Sequence, residues 1–421
     1  MTRDRVWHPY TQHGAASAPI AVKSASGAYL LAEDGRRLFD AISSWWVNLH
    51  GHAEPSIAAA VAAQAATLEQ VLFAGFTHAP AERLAERLAA LAPRGLEHVF
   101  FSDDGSTAVE AALKMALGCR HHRGEDRPIV AALEHAYHGD TFGAMSVGAR
   151  GAFTSPYERL LFSVQRLPFP EAGAEARTLE AFERLLAAEP GRVAALIVEP
   201  LVLGAGGMKM YGAPTLRALR ELCSRHGVFL IADEVMTGFG RTGTMFACEQ
   251  AGVSPDLLCL SKGLTGGFLP MGVTLATAEI FESFRSPDRA KAFFHGHSYT
   301  ANPIACAAAV ANLDLFAREP VFERIAAVAA AHRRGVARLA GLPGVAATRQ
   351  LGTIAAAELR VPDGGYLSAL GPRLYDFYLS RGVLLRPLGN VVYVLPPYCS
   401  TEEDLNKAYD AIEESLSLVA A

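Results

Sequence analysis

From about residue 95 to 300 the chain alternates short apolar runs with longer amphipathic segments, and this rhythm limits the possible folds more than any other feature of the sequence. Val99-Phe-Phe101, Ile129 to Leu133, Ala194 to Val198, Val228 to Ala232, Leu257 to Leu260 and Val273 to Ala276 are too short for buried helices and read as strands covered on both faces. Between them, Thr107 to Arg120 and Pro214 to His226 read as helices, the second with proline in its first turn and Gly227 just past its end. Strands alternating with helices imply an α/β fold with a mainly parallel, helix-covered sheet.

The flanks have a different pattern. Tyr29 to Phe39 reads as a hairpin, and Val383 to Leu385 and Val391 to Leu395 read as short strands among helices. A chain of 421 residues exceeds what one core organises, so two unequal domains are expected. We expect residues 56–309 to form the large domain, and residues 1–55 together with 310–421 to form a smaller α+β domain built from both termini. Pro362-Asp-Gly-Gly365 is a turn signal.

Several function classes are disfavoured. Lys and Arg total 38 against 43 Asp and Glu, a net charge of −5, which leaves no basic excess to hold a nucleic acid backbone. The stretch Met1 to Tyr10 is polar, with no apolar core of a secretory signal, and Ile57 to Leu72 is interrupted by Gln64, Glu69 and Gln70, so no membrane association is expected and a cytoplasmic location fits. Six cysteines lie scattered without a C-x-x-C pair, and the paired histidines lack H-x-x-x-H spacing; buried reduced thiols and no metal are expected.

Gly238-Phe-Gly-Arg-Thr-Gly243 matches G-x-G-x-x-G, but Asp233 to Thr237 separates it from its strand and no long helix comes after it, so it does not read as a dinucleotide site. A stronger constellation is Asp233 at the carboxyl end of one strand and Lys262 just past the end of the next, because open α/β sheets bind ligands at those ends. A lysine beside a carboxylate suits pyridoxal phosphate (PLP): the amine condenses with the cofactor aldehyde and later moves a proton, while the carboxylate keeps the pyridine nitrogen protonated. Ser102-Asp-Asp-Gly-Ser-Thr107 supplies a phosphate cradle, with backbone N–H groups of Gly105, Ser106 and Thr107 at a helix start; Thr107-Ala-Val-Glu110 also spells a capping box. Ser298 to Pro303 places hydroxyls before another helix.

These residues spell a pattern that resembles the class III aminotransferases of fold type I over essentially the whole chain. The marks are Gly105 to Glu110, Tyr137-His-Gly-Asp-Thr141, Asp233 to Gly243, Leu260-Ser-Lys-Gly-Leu-Thr-Gly-Gly267 and His295 to Pro303. Trp7-His-Pro-Tyr-Thr11, Ser43-Ser-Trp-Trp46, Phe76 to Pro80, His138 to Val147 and Leu385-Arg-Pro387 are similar to the branch that aminates 8-amino-7-oxononanoate on the route to biotin. The resemblance implies that Gly105 and Ser106 bind the phosphate, Tyr137 stacks on the pyridine ring, Asp233 pairs with its nitrogen and Lys262 carries the cofactor. It also implies a homodimer with shared active sites, Thr300 reaching the neighbouring subunit's phosphate, with Tyr10, Trp45 and Trp46 lining the substrate pocket and Arg386 holding a substrate carboxylate. Leu388 departs from the aromatic expected after Arg-Pro, and Phe268-Leu-Pro-Met-Gly272 is similar to relatives that use lysine in place of S-adenosylmethionine, so two amino donors stand open. An ω-amino acid or diamine aminotransferase is the alternative reading.

Overall fold

The computed structural model describes residues 5–419, so the first four residues of the polar N-terminus lie outside it. The chain opens with β1 (Val22–Ser26), β2 (Tyr29–Ala32) and β3 (Arg37–Asp40), and continues through β4 (Leu96–Ser102), β5 (Ile129–Leu133), β6 (Gln165–Leu167) and β7 (Val193–Val198). A two-stranded pair, β8 (Val202–Leu203) and β9 (Lys209–Met210), precedes β10 (Phe229–Asp233), β11 (Leu257–Leu260) and β12 (Gly272–Thr277). Near the end come β13 (Val345–Leu351), β14 (Ile354–Leu359), β15 (Val383–Leu384) and β16 (Val391–Val394).

The central sheet has the order β4-β12-β11-β10-β7-β5-β6. Every residue of β7, β10 and β11 is buried, as their unbroken apolar character requires when helices cover both faces. Only β12 runs against the rest, pairing antiparallel with β11 and β4. Its connection from β11 explains this: between Leu260 and Gly272 there is one short turn of 3-10 helix, Lys262–Thr265, and no crossover helix of the kind a parallel return needs. The α/β fold class expected from the alternation is borne out.

The hairpin expected at Tyr29 to Phe39 is present as β2 and β3, and β3 also pairs in parallel with β15, Val383 opposite Phe39 and Leu384 opposite Asp40. Strands from the two ends of the chain thus share one sheet of order β1-β2-β3-β15, while β13-β14-β16 form another. Helix Pro303–Arg318 packs against the helices Pro55–Ala65 and Ala79–Leu91.

Three expectations need correction. The helix after β4 runs from Gly105 to His122, and its capping box is one turn earlier than Thr107-Ala-Val-Glu110: the Asp104 carboxylate accepts from Thr107 N at 2.9 Å and the Thr107 hydroxyl accepts from Asp104 N at 3.0 Å. Asp is the better cap here because β4 delivers it in extended conformation with its oxygen already facing the third N–H. Glu110 instead accepts from Gly143 N at 2.7 Å and Ala144 N at 3.1 Å, fixing the start of the next helix. Second, Thr107 N is consumed by that cap, which leaves Gly105 and Ser106 as the two free donors of the helix start. Third, five of the six thiols are buried but Cys399 is exposed.

No helix among the described residues is long and apolar enough to cross a membrane.

Candidate active site

The parallel strands β7, β10 and β11 end side by side, and each delivers one ionisable residue past or at its carboxyl end: Glu199, Asp233 and Lys262. They line one cavity of about 470 Å³, with Gly105 and Ser106 from the helix start, and Tyr137. Six residues from five separate stretches of the chain therefore meet because strand ends and a helix N-terminus converge on one side of the sheet.

Lys262 faces this cavity and is enclosed by protein elsewhere. Burial lowers its pKa below the ordinary lysine value, while the charges of Asp233 and Glu199 pull in the opposite direction. Its backbone φ is +43°, a conformation that costs a non-glycine residue about 1–3 kcal/mol and persists where the surroundings over-determine it. The Lys262 ammonium sits 4.8 Å from the centre of the Trp46 ring. Trp46 is itself buried and spends its indole N–H on the Tyr393 hydroxyl at 3.0 Å, so its face is fixed toward the lysine.

Asp233 is held from two sides. His138 Nδ1 donates to Oδ2 at 2.7 Å and Val235 N donates to Oδ1 at 3.1 Å. His138 is buried and its Nε2 has no partner, an orphaned polar atom beside the cavity. Glu199 accepts from Tyr137 N at 3.0 Å and Gly204 N at 2.8 Å, yet complete burial raises its pKa to about 7, with His138 opposing and Asp233 adding to the rise.

Tyr137 carries its hydroxyl 3.3 Å from that of Tyr10, and Tyr10 donates to Asp140. Burial, then the bond to Asp140, pushes the Tyr10 phenol up to about 12, so it stays protonated and a donor at neutral pH. Tyr10 meets Trp45 edge-on at 5.5 Å, and Arg386 lies over the other ring system of that pair, 4.5 Å from the Trp45 ring centre. Arg386 is half-buried and has no carboxylate partner among the described residues. A cation stacked on an aromatic face and left unpaired is a ready receptor for an anion. A second cavity of about 920 Å³ adjoins the first across Tyr137 and Gly139 and is walled in part by Phe153 and Tyr366.

Backbone strain concentrates in the segment that carries the tryptophans. Ser43, Ser44 and Trp46 have φ of +52°, +58° and +68°. Such values disfavour any residue with a Cβ, and Ser44 adds ψ of −81°. The segment is tied down from outside: Ser43 Oγ donates to Leu395 O at 2.8 Å, and Arg241, which also donates to Pro396 O at 2.8 Å, donates to Trp46 O at 3.3 Å and to Asn48 O at 3.0 Å. Arg241 belongs to the G-x-G-x-x-G segment, which forms a tight turn seating this buried guanidinium, with Gly240 at φ +93°.

Lys262, Asp233, Tyr137, Gly105, Ser106 and Trp46 are thus gathered around one cavity, and Tyr10, Trp45 and Arg386 form a cluster beside it. Thr300 is elsewhere: its hydroxyl donates to His297 O at 2.8 Å in the turn before Pro303–Arg318. Sequence reasoning missed Glu199, although it comes after an apolar strand just as Lys262 does, and it left His138 without a role although it is the neighbour of Tyr137.

The residues fit pyridoxal phosphate. At Gly105 a Cβ would approach Val235 Cγ1 to 2.7 Å, so the helix start is kept bare, with two free N–H donors for a phosphate. Both Asp233 oxygens retain an acceptor site for a protonated ring nitrogen.

A family pattern described as aminotransferase class-III matches residues 10–416. The adenosylmethionine-8-amino-7-oxononanoate aminotransferase of Synechococcus elongatus is 52% identical over 419 residues, covering 98% of each chain. A solved structure of the aminotransferase of that same name from Methanocaldococcus jannaschii superposes with a TM-score of 0.94 at 35% identity, covering 98% of this chain and 97% of its own. An amine transaminase from an uncultivated Pseudomonas species, solved in its PLP-bound form, gives 0.92 at 33% identity over 98% of both chains. With the strand-end lysine and aspartate in place and the family pattern spanning nearly all of its length, the chain belongs to the class III aminotransferases.

Proposed function

We propose that this chain transfers an amino group to the ketone of 8-amino-7-oxononanoate, giving 7,8-diaminononanoate in biotin synthesis, with S-adenosylmethionine as donor. The observation that carries the reading is Arg386, an unpaired cation stacked on Trp45 beside the Lys262 cavity, which suits an acceptor with a distant carboxylate. The likeness to the Synechococcus elongatus and Methanocaldococcus jannaschii enzymes supports it.

Pyridoxal phosphate, when bound, supplies an aldehyde that accepts the amino group and a ring that takes up the electrons left when a proton departs. The chain supplies the rest. Gly105 and Ser106 N–H groups hold the phosphate at the helix start. Asp233, fixed by His138, keeps the ring nitrogen protonated, and Tyr137 covers the ring face. Lys262, whose charged form burial disfavours, would hold the cofactor and move the proton at the substrate carbon. Trp45, Trp46 and Tyr10 line the path of the acceptor's chain, and Arg386 takes its carboxylate. Two half-reactions at one site give ping-pong kinetics.

The working unit in this reading is a cytoplasmic homodimer, Thr300 completing the phosphate site of the other subunit; sedimentation at micromolar concentration should show a dimer, and a fully active monomer would contradict it. Phe268 to Gly272 and Leu388 keep lysine open as the alternative donor. The experiment is a donor panel: the PLP form is mixed with S-adenosylmethionine, lysine, alanine, β-alanine or putrescine and the cofactor spectrum is monitored. Conversion by S-adenosylmethionine supports the reading, conversion by lysine alone changes the donor, and conversion by β-alanine or putrescine alone points to an ω-aminotransferase.

A further inference from the structure

Asp40 ends β3 and is fully buried. Its carboxylate gathers donors from a single short stretch. Ser44 N reaches Oδ1 at 2.8 Å and Oδ2 at 2.7 Å, Ser44 Oγ reaches Oδ2 at 3.1 Å, and Ile42 N reaches Oδ1 at 3.4 Å. His52 Nε2 lies 2.8 Å from Oδ2, and Asn48 Nδ2 donates to Ser44 Oγ at 3.2 Å. These contacts converge on Ser44, the most strained residue of the segment, with φ +58° and ψ −81°. A serine holds that conformation only where the surroundings impose it.

The placement matters because the two tryptophans of the site come directly after Ser44. Trp45 carries Arg386 on its face and meets Tyr10, while Trp46 covers Lys262. Rotation of the peptide at Ser44 would move both rings together, and Arg386 would lose its platform. We propose that Asp40, backed by His52, is a positioning residue for acceptor recognition: by holding Ser44 in its strained conformation it sets Trp45 and Trp46 where Arg386 and Lys262 need them. The inference rests on the reading of Arg386 as the carboxylate receptor.

The test uses the full-length holoenzyme and two acceptors, 8-amino-7-oxononanoate and the same amino ketone without its carboxylate. The readout is the ratio of their kcat/KM values. Asp40→Asn keeps the volume but leaves four donors to share one oxygen. It should lower the ratio at least tenfold through KM for the carboxylate acceptor. Adding Ser44→Gly should restore the ratio to within about threefold, since glycine adopts positive φ without being held. A purely structural role for Asp40 would lower both acceptors alike with no rescue by glycine, and that result overturns the proposal.

A second readout needs neither substrate nor cofactor. The chain has three tryptophans, and Trp7 is 90% exposed, so in a Trp7→Phe background the emission comes from Trp45 and Trp46 alone. Asp40→Asn should shift that emission to the red, and an unchanged spectrum contradicts the proposal. Should Asp40→Asn fail to give soluble protein, Ser44→Ala and Ser44→Gly decide: both lose the hydroxyl, but alanine keeps the strain, so its selectivity must fall below that of glycine. The reverse order overturns the inference. A wild-type enzyme with no preference between the acceptors would refute the carboxylate reading of Arg386 instead, and the emission arm would then judge Asp40 by itself.

Discussion

Replacing Arg386 by alanine removes a cation that stands beside the cavity without a carboxylate partner among the described residues. A paired, hydrogen-bonded charge truncated in a buried setting costs about 2–5 kcal/mol. Arg386 is half-buried, so water screens part of that interaction, and the lower end of the range applies, about 2–3 kcal/mol. At 1.4 kcal/mol per factor of ten this corresponds to roughly a 30- to 150-fold loss in kcat/KM for 8-amino-7-oxononanoate. The loss should fall on KM, because the carboxylate lies far from the reacting ketone and contributes equally before and during the reaction. Arg386→Lys should recover only part of it, since an ammonium keeps the charge but not the planar fork that binds a carboxylate through two bonds. The donor half-reaction, read from the cofactor spectrum, should change less than the acceptor half-reaction. Equal losses in both halves, or a matching drop in melting temperature, would show that Arg386 is a structural cation and refute the argument.

The geometry sets three further outcomes. Lys262→Ala should fold and bind cofactor but lose turnover and the absorbance of the lysine-linked form, so appreciable activity would reject Lys262 as the proton carrier. Asp233→Asn, which keeps shape but not charge, should slow the proton-transfer step at least about a hundredfold and weaken cofactor binding; an unchanged rate would mean another group protonates the ring. His332 is fully buried, its ring bonded to the Tyr409 hydroxyl at 2.8 Å and donating to Thr353 O at 3.1 Å, and burial lowers its pKa from 6.5 to about 4. Below pH 6.5 the unfolded chain takes up a proton that the native state refuses until about pH 4, so its contribution is complete above 6.5 and is lost as pH falls through that window, by about 3 kcal/mol. His332→Gln should flatten the fall in melting temperature between pH 6.5 and 4.5, and an equal fall in both proteins would contradict this assignment.

The large sheet and the pair Asp233 and Lys262 were legible because one physical rule covers both: fully buried strands leave unbroken apolar runs, and ligands gather at their carboxyl ends. Applied to Val193–Val198, the same rule would have found Glu199. The direction of β12 was harder to read, since an apolar run does not reveal the sense of the strand; only the short, helix-free connection after Lys262 does. Asp40 and Arg241 were hidden for a different reason. The partners of Arg241 are backbone carbonyls brought to it by tertiary structure, which leave no spacing pattern, and those of Asp40, though close in sequence, meet it only because Ser44 adopts a conformation that its own preference opposes. The positive φ values at Ser43, Ser44 and Trp46 contradict local preference, and a sequence reading that trusts preference has no means to anticipate them.

The central claim is amination of a carboxylate-bearing keto acceptor at the Lys262 site, and a single-turnover label transfer tests it most directly. Enzyme loaded with ¹⁵N from a labelled donor, freed of excess donor and mixed with 8-amino-7-oxononanoate, should yield 7,8-diaminononanoate carrying one ¹⁵N at carbon 7, in an amount equal to the active sites. Label that stays on the enzyme with this acceptor but moves readily to a short ω-aldehyde or α-keto acid would contradict the account.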